Sequence, residues 1–139
     1  MLKNLKVEAA QWRRTALKTL ETAKYLNSRD DCRSCVSRAY YAAYQAVTSV
    51  CILHGDAIKF PTNWNNPSHQ QLPELIGNNG DLPPDARRKL KTMLKSLRDL
   101  REDADYRMGM TVDDQTMFSA LSLASRIFDR LEIEEDGNS

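Results

Sequence analysis

Between Pro84 and Gly109 the apolar residues Leu90, Met93, Leu94, Leu97, Leu100 and Ala104 recur so that each has another three or four positions away. That spacing gathers them on one side of an α-helix, whereas a strand would scatter them over both faces. Pro84 suits a first helical turn, and Gly109 ends the segment. The same stretch holds the densest charge in the sequence, Arg98-Asp99-Leu100-Arg101-Glu102-Asp103-Ala104-Asp105. Arg101 and Asp105 stand at i and i+4, with Arg98 one turn earlier, so one face packs and the other offers cations beside a carboxylate. On an exposed helix such a pair is worth only about 0.2–0.5 kcal/mol, too little to matter for folding. The pair is therefore read as part of a site, the alternative being a buried network that holds helices or two subunits together.

Helical periodicity extends over most of the chain. Leu5, Ala9, Trp12, Ala16, Leu20, Ala23 and Leu26 predict a first helix over about 3–27. Asn27 to Asp31 supplies a stop and cap candidates, and Val36, Tyr40, Ala43, Val47 and Val50 predict a second helix from Cys32 to about His54. Its Ala39, Ala42, Ala43 and Ala46 let another helix approach closely. Residues 55–67 read as a loop with Trp64 as an anchor. Ser68 caps a short helix from His69 to about Ile76, and Gly77-Asn78-Asn79-Gly80-Asp81 breaks it. Thr111 with Asp114 resembles a capping arrangement for a last helix whose stripe is Val112, Phe118, Leu121, Leu123, Ala124, Ile127, Phe128 and Leu131. No segment reads as a strand and no repeat recurs. The expected architecture is an all-α, antiparallel up-and-down four-helix bundle with one additional short helix. At 139 residues it is read as one domain, 1–139, with a core of about 5–131 and an acidic tail from 132 to 139.

Charge and cysteine content narrow the function classes. Lys plus Arg number 20 against 19 Asp plus Glu, a net charge of +1, so any polyanion contact has to be local. No apolar run approaches the roughly 18 residues of a membrane span, and the N-terminus lacks the apolar block of a signal peptide, which predicts no membrane and a cytoplasmic location. Cys32, Cys35 and Cys51 form no disulfide framework, in keeping with a reducing compartment. Cys32-x-x-Cys35 lies where a helix start favours a thiolate, but no second Cys or His pair completes a zinc set, so neither a metal nor a cofactor is expected.

Arg38, Tyr41, Gln45 and Thr48 share a polar face of the second helix. Two readings are open: an interhelical or solvated hydrogen-bonding face, or a phosphate site to which Arg38 brings its fork of donors. His54, at a helix end, is read as structural and Trp12 as core or interface.

Ser37-Arg38-Ala39-Tyr40-Tyr41-Ala42, then Ser68-His69, then Arg101-Glu102-Asp103-Ala104-Asp105-Tyr106 resembles the HEPN superfamily, and more narrowly its branch of small stand-alone prokaryotic domains. The resemblance covers about residues 5–131. It implies a four-helix bundle that dimerises, with the polar site near the dimer interface. It also implies a metal-independent ribonuclease or a nucleotide- or RNA-binding component of a toxin–antitoxin or defence pair, encoded beside a nucleotidyltransferase-type antitoxin. The family signature is Arg, four to six residues, then His. Arg101 carries over as its arginine and Glu102 as the polar neighbour, whereas Tyr106 stands where the histidine would be. A phenol, with a pKa of about 10, exchanges protons poorly near neutrality, and His69 is the replacement base that the resemblance suggests. The site expected from these residues is Arg101, Tyr106 and His69 for catalysis, with Arg38, Tyr41, Arg98, Glu102 and Asp105 around a phosphate or nucleotide. The alternative is a non-catalytic module that dimerises and binds a nucleotidyltransferase-type partner.

Overall fold

A computed structural model describes residues 2–53, 71–79, 82–106 and 112–134. His54, Trp64, Ser68, His69, Gly109 and Thr111, on which several expectations fall, lie outside the described residues. Five helices follow in order: α1 Leu2–Ser28, α2 Cys32–Leu53, α3 Gln71–Gly77, α4 Pro84–Tyr106 and α5 Asp114–Arg130. Among the described residues there is no strand, and the fold is the expected all-α bundle of four long helices with a short fifth.

α2 is the central element, packing against α1, α3, α4 and α5. Its small side chains make this possible, for Ala39, Ala42, Ala43 and Ala46 are all fully buried and leave room for neighbouring helices. The α4 stripe buries Leu90, Leu94, Leu97 and Ala104 against it, with Met93 and Leu100 at the margin. α1 contributes Ala9, Ala16, Leu17, Leu20 and Ala23.

Two helix ends close without glycine. Asp31 N–H bonds Leu26 O at 3.1 Å and Asp30 N–H bonds Asn27 O at 3.2 Å, the paired bonds of a Schellman motif, with Asp30 left-handed at φ 58°. The end of α5 repeats the pattern: Ile133 N–H to Phe128 O at 2.9 Å, Glu132 N–H to Asp129 O at 3.1 Å, and Glu132 at φ 57°. The first of these motifs turns α1 back along α2, whose first turn is capped by the Asp31 carboxylate on Ser34 N–H at 3.3 Å.

α5 departs from expectation in two respects. Its cap is Asp113, whose carboxylate accepts from Thr116 N–H and Thr116 Oγ1, both at 2.9 Å. The expectation set the cap at Thr111 with Asp114 three residues on, but the helix begins at Asp114, so Asp113 directly before it is the residue that reaches N3. The buried stripe is Met117, Ala120, Ala124, Ile127 and Phe128, so Phe118 is 56% exposed and Leu121 and Leu123 sit at the margin. The steps 117–120–124–127 hold one face of the helix, and Phe118, one residue later, is rotated about 100° from it.

Candidate functional site

The site forms where the N-terminal half of α2 meets the last two turns of α4. On α2, Arg33, Ser37 and Tyr41 are spaced by four and so point the same way. Arg33 donates through Nη1 to the carbonyl of Ala104 at 2.6 Å, covering one of the acceptors that the end of α4 leaves open. Ser37 donates to Asp105 Oδ2 at 3.2 Å, and Tyr41 reaches Arg101.

Arg101 is the centre. Its Nε donates to Asp105 Oδ2 at 3.0 Å, and its Nη2 donates to the hydroxyl oxygens of Tyr41 at 2.8 Å and Tyr106 at 2.9 Å. Three rings surround the guanidinium, its carbon lying 5.5 Å from the ring centre of Tyr40, 5.2 Å from Tyr41 and 5.0 Å from Tyr106, all within cation–π range. The residue is 8% exposed. The pair is thus largely buried and not exposed: Arg101 continues the Leu90, Leu94, Leu97 and Ala104 stripe at steps of four and three, and Tyr40 and Tyr41, delivered by α2, close over it. Burial pulls the guanidinium's pKa down, but Tyr41, Tyr106 and Asp105 outweigh it and hold the group above the ordinary arginine value, so it stays cationic. Among the described residues no partner takes the Nη1 protons.

Behind the arginine stands an aromatic series. Tyr40 is 1% exposed, and burial drives its phenol well above the usual range despite the nearby charge of Arg101. Its ring lies 5.6 Å from that of Tyr41 and 6.3 Å from that of Tyr44, which meets Trp12 of α1 edge-on at 6.3 Å. Trp12 packs against the core in this way, and the cage is held by α1 through α2.

The expected site residues divide accordingly. Arg101, Tyr41, Asp105 and Tyr106 come together. Arg98 and Glu102 form a neighbouring i, i+4 contact at 4.0 Å, beyond hydrogen-bond distance. Arg38 is exposed, and no contact links it to Arg101 among the described residues; one residue past Ser37, it is rotated away from the site. Nor do its companions form a uniform polar face, since Thr48 is fully buried. His69 lies outside the described residues. Sequence reasoning missed Arg33, Ser37 and Tyr40 as parts of the site, although the 33–37–41 spacing was available as a signal.

The cysteines behave differently from expectation. Cys35 is fully buried, its thiol donates to Ala23 O at 3.2 Å, and burial pushes its pKa up to about 11. Burial and then the hydrogen bond to Asp114 Oδ1, at 3.5 Å, raise Cys32 too. A helix start favours thiolates, but here burial and carboxylates from α5 prevail. Among the described residues no three His, Cys, Asp or Glu side chains converge as a metal site, and no helix is long and apolar enough to cross a membrane.

Chemically, the Arg101 cluster offers a fixed positive charge and hydroxyl donors. Its described members include no histidine. The HEPN domain model matches residues 9–134, most of the chain and all the residues of the cluster. Comparison with curated proteins and with solved structures gives no match. With the bundle and the extent of the match in agreement, the chain belongs to the HEPN domain family.

Proposed function

We propose that this chain is the RNA- or nucleotide-engaging component of a toxin–antitoxin or defence pair, and that it engages phosphate through Arg101. The observation that carries the reading is the arginine's state. A guanidinium caged by three rings, with Asp105 and two phenol oxygens fixing its Nε and Nη2, keeps the two Nη1 protons without a described partner. Tyr106, accepting from Nη2, keeps its own hydroxyl proton and is polarised by the charge behind it, which makes it a stronger donor to an oxyanion. Tyr106 and Nη1 therefore form a donor pair for phosphate oxygens, while Asp105 and Ser37 hold the fork in place. Cleavage of RNA would further require a proton acceptor, for which His69 is the candidate, and no metal enters the scheme.

A second reading, the non-catalytic module, draws on Tyr106 as well. The residue is 66% exposed although its hydroxyl is anchored on Arg101. A large aromatic held rigid at the surface suits the centre of a protein interface, either in a homodimer of the 1–139 domain or with a nucleotidyltransferase-type partner.

One experiment separates the two. Purified protein is incubated with total RNA in EDTA beside Arg101→Lys and Tyr106→Phe, and sedimentation is run on the same samples. Cleavage or RNA retention that falls in both variants supports the phosphate reading. No effect on RNA, with Tyr106→Ala shifting a dimer to monomer, favours the module, and cleavage unchanged in Arg101→Lys contradicts the proposed role of Arg101.

A further inference from the structure

The cations of Arg101's neighbourhood are largely engaged within the protein, but a second group is not. α4 and α5 run antiparallel, so the first two turns of α4 lie beside the last turns of α5. Between them is an open groove of about 1020 Å³, lined by Asp85, Arg88, Lys89, Thr92 and Met93 of α4 and by Arg126, Asp129 and Arg130 of α5. Arg126, Asp129 and Arg130 share one face of α5 by their i, i+3, i+4 spacing. Four cations thus face two carboxylates. Arg88 pairs with Asp85, which leaves Lys89, Arg126 and Arg130 with no ion-pair partner among the described residues and only Asp129 opposing them. Arg88, Lys89, Arg126 and Arg130 are all exposed, so no buried network explains their convergence.

We infer that this groove is a second phosphate-binding site, one that takes two or three consecutive units of a phosphodiester strand or the polyphosphate of a nucleotide. Its volume stands at the upper end of the roughly 300–1,000 Å³ of small-molecule pockets, so more than one nucleotide unit fits. Its cations are mostly arginines, whose planar forks pair with phosphate oxygens and also stack on bases, as lysine does not. Thr92 adds an exposed hydroxyl for ribose or phosphate and Met93 a half-buried thioether against which a base can lie. The place is separate from the Arg101 cluster: Arg88 precedes Arg101 by 13 positions on α4, about 20 Å along the helix axis. The class of ligand rests on the RNA- or nucleotide-engaging reading above, and the location rests on the groove alone.

The test uses the full chain and a fluorescein-labelled 2′-O-methyl oligouridylate octamer, which resists cleavage, in anisotropy titrations at several salt concentrations. R126A/R130A is compared with Arg101→Lys and with R14A/K18A, which removes two exposed cations from α1. The expected result is at least a tenfold loss of affinity in R126A/R130A at low salt, with the slope of log K against log salt reduced by about 1.4, because each phosphate contact on a single strand contributes about 0.7. R14A/K18A binds as the wild type. Competition by ATP at micromolar concentration assigns the groove to a nucleotide polyphosphate; its absence assigns it to a strand. If R126A/R130A binds as the wild type while Arg101→Lys loses affinity, the groove proposal is overturned and the Arg101 reading stands. Loss in R126A/R130A with Arg101→Lys unaffected has the opposite meaning, and a wild type that binds neither the octamer nor ATP overturns both. Displacement of the octamer by hexaglutamate at equal concentration would show an acidic-peptide surface and overturn the assignment to phosphate.

Discussion

Replacing Arg101 with alanine tests how the cluster is held. In the wild type the Arg101 side chain is 10% exposed and Asp105 26%, and their contact is 3.0 Å. Truncation leaves Asp105 with the Ser37 hydroxyl but without its counter-charge, and takes the donor from Tyr41. A hydrogen bond to a charged group contributes about 1.5–3 kcal/mol and one between neutral groups about 0.5–1.5. Stranding a fully buried charge costs about 3–5 kcal/mol. Because Asp105 is a quarter exposed and Tyr106 can rehydrate, the lower part of that range applies, and the expected loss is about 2–4 kcal/mol. For a chain of this length 1 kcal/mol shifts Tm by about 3–4 °C, so Arg101→Ala should melt roughly 10 °C lower. Thermal and urea unfolding followed by far-ultraviolet circular dichroism measures this, with Asp105→Ala and the double variant completing a cycle. The contacting pair should show a coupling energy of about 1–2 kcal/mol. An Arg101→Ala protein that melts within about 2 °C of the wild type, or strict additivity in the cycle, would refute the view that the cage is an interlocked unit.

Three further outcomes follow from the geometry. Glu132→Gly removes a left-handed conformation that costs a non-glycine residue about 1–2 kcal/mol, so Tm should rise by a few degrees with the Schellman bonds kept; a fall would show that the Glu132 side chain contributes elsewhere. Asp113, lowered below its ordinary carboxyl value by its bonds to Thr116, contributes stability above about pH 3.8 that is lost as pH falls through its folded value. Asp113→Ala should therefore flatten the acid limb of the stability curve, as acid titration of unfolding will show. Cys35, raised to about 11 from 9.0, is ionised in the unfolded chain before the folded one, so its contribution is complete below pH 9 and declines as pH rises to about 11. Cys35→Ala should reduce that alkaline decline, and iodoacetamide at pH 8 should modify native Cys35 only as fast as the protein unfolds.

How far the sequence reveals this structure depends on the range of the interactions concerned. Leu90, Leu94, Leu97 and Ala104 are legible as a buried face because period 3.6 is local, and the alanines of α2 are legible as a close-approach surface for the same reason. Arg101 falls on that same α4 stripe, four residues after Leu97 and three before Ala104, but its charge and its charged sequence neighbours set it apart, and two of the three rings that enclose it come from Tyr40 and Tyr41, about 60 positions earlier on α2. Arg38 and Ser37 differ by one helical step, so the guanidinium stood out while the hydroxyl that actually holds Asp105 did not. In α5, Phe118 outweighs Ala120 in hydropathy, yet Ala120 faces the core because its spacing puts it on the face of Met117, Ala124 and Ile127. The cysteine pair shows the same limit, since Asp114, which raises Cys32, stands 82 residues away in the chain.

The central claim is that Arg101, held by Asp105 and the tyrosines, receives phosphate. It is tested most directly on the unaltered protein by following the Nε–Hε resonances of its arginines in 15N-correlated NMR, with the Arg101 signal assigned as the one missing from Arg101→Lys. During titration with the 2′-O-methyl oligouridylate octamer, the Arg101 resonance should shift progressively and saturate in step with anisotropy, and Tyr106→Phe should weaken the response. An Arg101 resonance that stays fixed while the octamer saturates the protein would contradict the claim.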